Sequence, residues 1–90
     1  MSTIAERQAQ LTRRRAILAL LFFSPGQSMT ARRLRDELEA THGQVATVDR
    51  VRADILWLAD VDLILAANDA ATLTERGRDV VLDRSAMPGA

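Results

Sequence analysis

The sequence contains no cysteine, which excludes disulfide bonds, thiolate nucleophiles and every zinc or iron–sulfur site built on cysteine. With His42 as the one histidine, His-pair metal sites are also excluded, and a serine–histidine–aspartate triad would depend on that residue alone. Aromatic residues make up 3% of the chain, too few for the stacking platform that single-stranded nucleic acid requires. We therefore expect a binding domain rather than an enzyme, with no cofactor, no metal and no small-molecule ligand.

What is present is typical of a folded domain. The chain has 90 residues, of which 48% are hydrophobic and 27% charged, and this length supports one domain. The apolar run 16–23 follows Arg13, Arg14 and Arg15 and has the length of a signal-peptide core, but no A-x-A-like cleavage site follows it. The run is too short to span a bilayer. The expected location is the cytoplasm.

The charges divide along the chain although they cancel overall. Residues 1–45 carry a net charge of +3 and residues 46–90 a net charge of −3. Every basic residue is arginine, which suits forked contacts to phosphate or carboxylate groups, although genome base composition explains such a bias equally well. The sequence thus predicts a basic half and an acidic half.

Apolar spacing predicts a first helix over about 4–23. Ile4, Leu11 and Leu18 recur every seven residues, and the spacing continues at three and four residues through Leu21. The apolar residues are concentrated in the last two turns, so residues 1–12 are expected to form an arm. Proline and glycine in Ser24-Pro25-Gly26 end the helix.

Capping residues place the second and third helices. Thr30 is the expected N-cap of a helix that ends near His42-Gly43, where glycine favours the left-handed conformation of a helix end. A structural role in this turn is expected for His42. The third helix begins at about Thr47 and ends at 60–62. The residues expected to face the core are Leu34, Leu38 and Thr41 on the second helix and Val48, Val51, Ile55 and Leu58 on the third.

A short β-hairpin is predicted after the third helix. Residues 63–66 favour a strand, Asn68-Asp69 a turn, and 71–73 a returning strand. Thr74 then caps a last helix over about 75–84.

Helices joined by a tight glycine-containing turn, then a hairpin and a last helix, follow the order of a winged helix-turn-helix. Three segments carry the match: Val51–Leu58 (V-R-A-D-I-L-W-L), Leu63-Ile64, and Leu73–Gly77 (L-T-E-R-G). They resemble the pattern V-R-x-D-L-x-W-L … G-L-V … L-T-x-x-G of winged-helix transcription regulators. Over residues 13–89 the chain is most similar to the small winged-helix proteins encoded in Mu-like phages and prophages, which share Ser28-Met29 and Pro88-Gly89.

The resemblance implies a mainly α fold: a three-helix core, a short β-hairpin wing and a C-terminal helix. Residues 1–90 would form a single domain, with an N-terminal arm at 1–12, the winged helix at 13–84 and a flexible tail at 85–90. The implied function is sequence-specific double-stranded DNA binding by a phage-type transcription regulator that acts as a homodimer.

The chain departs from this pattern at three places. Asp62 stands where glycine usually precedes the first wing strand, and Ala46 stands where a serine N-cap is common. The wing contains no arginine and has Asp69 at its tip. Because a wing that binds phosphate is expected to be basic, this wing is predicted to repel DNA.

The outward face of the third helix would supply the base contacts. Arg50 is suited to a forked contact with guanine and Ala53 to a thymine methyl, while Thr47 can bond to a phosphate. Asp49 would either accept from cytosine or act as a repulsive charge. The candidate base contacts are Thr47, Asp49, Arg50 and Ala53.

The candidate phosphate contacts are Arg32, Arg33 and Arg52, two of which begin the helix that crosses the DNA backbone in helix-turn-helix docking. Solvated ion pairs are the alternative interpretation of these arginines. The alternative pairs are Arg32 with Asp36, Arg35 with Glu39, and Arg50 and Arg52 with Asp49 and Asp54.

Leu56 and Trp57 are apolar on the side of the third helix away from the core and must be covered. The possible covers are the wing with the last helix, the N-terminal arm carrying Ile4 and Leu11, or a second copy of the protein. Leu18 and Phe22 lie on a different side of the first helix from Ile17 and Leu21, so they must also be covered. The predicted dimer or partner surface is therefore Leu56, Trp57, Leu18 and Phe22. The rival function is a protein–protein interaction module with little DNA affinity that docks through Leu56 and Trp57.

Overall fold

Four threonines begin the helices of this protein. In the computed structural model, which describes residues 3–89, each threonine Oγ1 accepts a hydrogen bond from the backbone N–H three residues further on. These bonds satisfy N–H groups that have no partner inside a helix. The helices are α1 (Ile4–Phe22), α2 (Ala31–His42), α3 (Val48–Asp60) and α4 (Glu75–Val81), capped by Thr3, Thr30, Thr47 and Thr74.

The predicted boundaries of the first three helices are confirmed to within one residue. Gly43 ends α2 with a φ of 63°, the left-handed conformation that glycine adopts without steric cost. Helix α4 is shorter than predicted because the chain leaves helical geometry at Leu82, and Asp83 has a φ of 58°. Helix α1 runs continuously from Ile4, so the described part of the predicted arm is helical. Met1, Ser2 and Ala90, which belong to the predicted arm and tail, lie outside the described residues.

The predicted hairpin is confirmed. Strands β2 (Ile64–Ala67) and β3 (Ala70–Leu73) pair antiparallel with Ala67 opposite Ala70. Asn68 and Asp69 both have positive φ, 53° and 57°, as the two central residues of a type I′ turn require. Asp62 also has a positive φ of 64°, which shows why glycine would suit this position.

A third strand was not predicted. Strand β1 (Ser28–Thr30) pairs antiparallel with β3, so the sheet order is β1-β3-β2. Three residues are too few to show the alternation of a strand, and the residues they pair with lie 40 to 44 positions further along the chain. The described part of the protein is thus mainly helical, with a small three-stranded antiparallel sheet.

The helices and the sheet enclose one hydrophobic core. Its fully buried large side chains include Ile17, Leu18, Leu21, Leu34, Leu38, Val51, Leu58, Leu63 and Ile64. The expectation that Thr41 faces inward is wrong: the residue is exposed, and its hydroxyl donates to the Glu37 carbonyl at 2.7 Å. Met87 lies in the segment expected to be a flexible tail, but it is 5% exposed and packs in the core.

None of the helices within residues 3–89 is long and apolar enough to cross a bilayer.

Candidate nucleic-acid interface

Three elements meet at Asp69 in the turn between β2 and β3. The carbonyl oxygen of Asp69 accepts a hydrogen bond of 2.9 Å from the N–H of Ala31, the first residue of α2. Its carboxylate accepts two hydrogen bonds of 2.8 Å from Nε and Nη2 of Arg52, in the middle of α3. We call this meeting point of α2, α3 and the β2–β3 turn (the wing turn of the predicted hairpin) the Asp69 junction.

The charges at the Asp69 junction are arranged around the guanidinium group of Arg52. Its Nη1 also donates to Asp49 at 3.2 Å, so Arg52 lies between two carboxylates. Hydrogen bonding from Arg52, assisted by the positive charges of Arg52 and Arg32, lowers the pKa of Asp69, and the bond to Asp69 raises the pKa of Arg52. Both groups are therefore ionised at neutral pH.

The four predicted base-contacting residues all lie exposed in the first half of α3. The Thr47 hydroxyl accepts from the Arg50 N–H at 3.1 Å as the helix cap. Asp49 is held by Arg52, whereas Arg50 makes no ion pair with any residue from 3 to 89. Ala53 follows on the same outward face. The arrangement leaves Arg50 as an exposed cation at the front of this helix.

The predicted phosphate contacts differ in their surroundings. Arg32 and Arg33 are exposed in the first turn of α2, and neither forms an ion pair within the described part of the chain. Arg52, by contrast, is occupied by Asp69 and Asp49. The alternative pairing of Arg32 with Asp36 is wrong, since Asp36 binds Arg35.

Two further arginines of the basic half, Arg13 and Arg14, form ion pairs within the protein. Arg13 is buried and donates through Nε and Nη2 to the carboxylate of Asp54, which is 1% exposed. Nε of Arg14 donates to the same carboxylate at 3.2 Å, and the Arg14 guanidinium lies 4.0 Å from the centre of the Trp57 ring. This buried ion cluster joins α1 to α3.

The sequence does not predict this cluster, since its pattern favours Asp54 as a solvated counterion of Arg50 and Arg52. One signal was present. Asp54 follows Val51 by three residues and precedes Leu58 by four, which places it on the buried face of α3. The identity of its partner gave no such signal, because Arg13 lies 41 residues away.

The predicted dimer or partner surface is mostly covered within the single chain. Leu18 is 1% exposed, so its assignment to that surface is wrong: it faces the core formed by the other elements. Phe22 and Trp57 are half-buried against the core. Trp57 is covered by Arg14, and Gly89 lies beside its ring, which none of the expected covers included. Leu56 remains 63% exposed.

Two grooves flank the Asp69 junction. One of about 300 Å³ lies between α3 and the β2–β3 hairpin and is lined by Arg52, Leu56, Ala66 and Asp69 among others. The other, of about 590 Å³, lies between the end of α1 and the start of α2 and includes Phe23, Met29 and Arg33. No group of three or more histidine or acidic side chains within residues 3–89 is arranged to hold a metal ion.

Comparisons of this chain with protein-family models, with curated proteins and with solved structures found no match.

Proposed function

We propose that this protein is a winged-helix regulator that binds double-stranded DNA through the outward face of α3 and the start of α2. The observation that carries the proposal is the Asp69 junction, which brings arginines of both helices together at the wing turn. The element order and the sheet order β1-β3-β2 support a winged helix. The sequence contains as many acids as arginines, so its overall charge does not predict a positively charged surface. The arginines come together because the fold brings α2 and α3 to the same turn.

The first half of α3 would enter the major groove. Arg50 would donate to the N7 and O6 atoms of a guanine, and the methyl group of Ala53 would contact a thymine. Arg52 holds the Asp49 carboxylate at 3.2 Å, which reduces the repulsion between that acid and the DNA. Arg32 and Arg33, at the start of α2, would bind phosphates and fix the orientation of α3 in the groove.

Arg50→Ala is expected to weaken binding to the preferred duplex by about 1–3 kcal/mol, which is roughly 5- to 150-fold in Kd. The preferred duplex would first be selected from a random-sequence pool, and binding measured by fluorescence anisotropy. Arg84→Ala is the matched control, because it removes the same charge from an exposed residue beyond α4. Arg50→Ala should also reduce the preference for the selected site, whereas Arg84→Ala should leave it unchanged.

The wild-type Kd should rise with salt, with a log–log slope of about −0.9 in binding constant for each phosphate neutralised. A correctly folded wild-type protein that shifts no duplex at low salt would contradict the proposal. An equal loss in the two arginine variants would contradict the assignment of Arg50 to base reading.

The exposed Leu56 favours a second candidate function, which is association with another protein or with a second copy of this chain. Its side chain borders the groove between α3 and the wing, beside Ala66 and Ala67. Contiguous exposed apolar side chains at a groove are a feature of interaction surfaces. Light scattering at high concentration would detect a homodimer, and Leu56→Ser is expected to lower the dimer fraction while leaving the unfolding temperature unchanged at concentrations where the wild type is monomeric. Finding only monomer at every concentration would contradict the homodimer.

A further inference from the structure

The two hydrogen bonds between Arg52 and Asp69 occupy the guanidinium edge that a DNA phosphate would use. Nε and Nη2 of Arg52 donate to the two carboxylate oxygens at 2.8 Å each, a forked arrangement that arginine forms equally with carboxylates and phosphates. The side chains are 37% and 45% exposed, so a phosphate oxygen can reach this edge from solvent. Arg52 is also one of the residues expected to bind phosphate.

We propose that Asp69 is an internal competitor of the DNA backbone. In the DNA-free protein its carboxylate holds Arg52, and a phosphate must displace it before Arg52 can bind DNA. Asp69 thereby weakens the interaction and lowers the number of phosphates that are neutralised on binding. This inference rests on the proposed function and assigns to Asp69 the control of affinity at the same surface.

Displacement of the carboxylate is energetically accessible. Ion pairs between exposed groups contribute little to stability, and the second carboxylate, Asp49, also bonds to the Arg52 guanidinium group at 3.2 Å. Both partners carry full charge at neutral pH, so the competition operates under ordinary conditions. Asp69 therefore affects the affinity for DNA without closing the site.

The wing turn keeps its shape without this carboxylate. The backbone carbonyl of Asp69 is bonded to Ala31, and Ala70 pairs with both Thr30 and Ala67. The φ of 57° at Asp69 is in the left-handed region, which asparagine also adopts readily. Asp69→Asn thus removes the charge and preserves the turn.

Asp69→Asn is expected to bind the selected duplex about 2- to 5-fold more tightly than the wild type. The log–log slope of its binding constant against salt should be steeper by up to about 0.9, because Arg52 neutralises a phosphate in a larger fraction of the complexes. Combining Asp69→Asn with Arg52→Ala should abolish the gain in affinity, since the guanidinium group that Asp69 binds is then absent. Anisotropy titrations at four salt concentrations would measure all three quantities, with circular dichroism as the check on folding.

The matched control is Asp62→Asn at the other end of β2. Asp62 is likewise exposed, has a φ of 64°, and lies 3.9 Å from Arg76 rather than near Arg52. Its replacement makes the same change in net charge and is expected to alter the Kd by less than about 2-fold.

The possible results separate this inference from the proposed function. Equal gains in Asp69→Asn and Asp62→Asn would overturn the inference and show a general charge effect. Weaker binding by Asp69→Asn would also overturn it, because Asp69 would then position Arg52 for DNA. In both cases wild-type binding would leave the proposed function intact, whereas a wild type that binds no duplex would overturn both.

Discussion

Asp54→Ala is expected to destabilise the protein by about 3–5 kcal/mol, because it leaves the buried Arg13 guanidinium without its counterion. A buried charge that has lost its partner retains the full cost of its removal from water. Domains of this size have total stabilities of about 5–15 kcal/mol. The variant should therefore lose a large part of the free energy of unfolding, and its unfolding temperature should fall by roughly 12–40 °C.

Thermal and urea unfolding monitored by circular dichroism would measure this loss. Asp36→Ala is the control: Asp36 pairs with Arg35 at the surface, and its removal should change stability by less than about 1 kcal/mol. The double change Arg13→Met with Asp54→Leu replaces the buried pair by apolar side chains and should recover most of the loss. If the double variant is as unstable as Asp54→Ala, an unpaired Arg13 is not the cause.

The second large effect is expected at Gly77, in the first turn of α4. A Cβ atom added there would lie 2.2 Å from the carbonyl oxygen of Leu63 and 2.6 Å from Cδ1 of Leu73. The Leu63 carbonyl accepts the N–H of Thr74 at 3.1 Å, so it cannot move away without breaking the cap region of α4. Gly77→Ala should therefore cost about 1–3 kcal/mol or more.

Helix propensity alone predicts the opposite sign at this position, since alanine is favoured over glycine inside a helix by about 1 kcal/mol. Chemical denaturation of Gly77→Ala, with Arg76→Ala as the control, would show whether the steric clash or the helix propensity determines the change in stability. Arg76 is the exposed neighbour on the same helix, and its replacement should remain within about 0.5 kcal/mol of the wild type. A Gly77→Ala protein as stable as the wild type would mean that α4 does not press on Leu63.

The candidate site was predictable to the extent that it depends on local pattern. The apolar stripe of α3 established that Asp49, Arg50 and Ala53 point outward, and the structure exposes all three. The acidic wing tip was also visible in the sequence. Its partner was not, because Arg52 precedes Asp69 by 17 residues and nothing in either segment specifies the other.

The basic half of the chain shows the same limit. Composition groups Arg13 and Arg14 with Arg32 and Arg33, yet the first two serve the buried Asp54 and only the latter pair is exposed at the start of α2. Net charge by segment cannot distinguish these roles, because a guanidinium group has the same charge when it is buried against a carboxylate as when it faces solvent. Burial decides which arginines are available for the proposed DNA binding.

By itself the sequence determined the helix caps, the glycine end of α2 and the Asn68-Asp69 turn. Each depends on side chains and φ preferences of residues within about four positions of one another, so the local sequence contains all that is needed. Only the tertiary structure decided the pairing of β1 with β3 and the ion cluster around Asp54. The same is true of the close approach of Leu63 to Gly77 and of the ion pair between Asp69 and Arg52. These contacts join residues that lie far apart in the chain, and they form only after packing of the core brings the elements together.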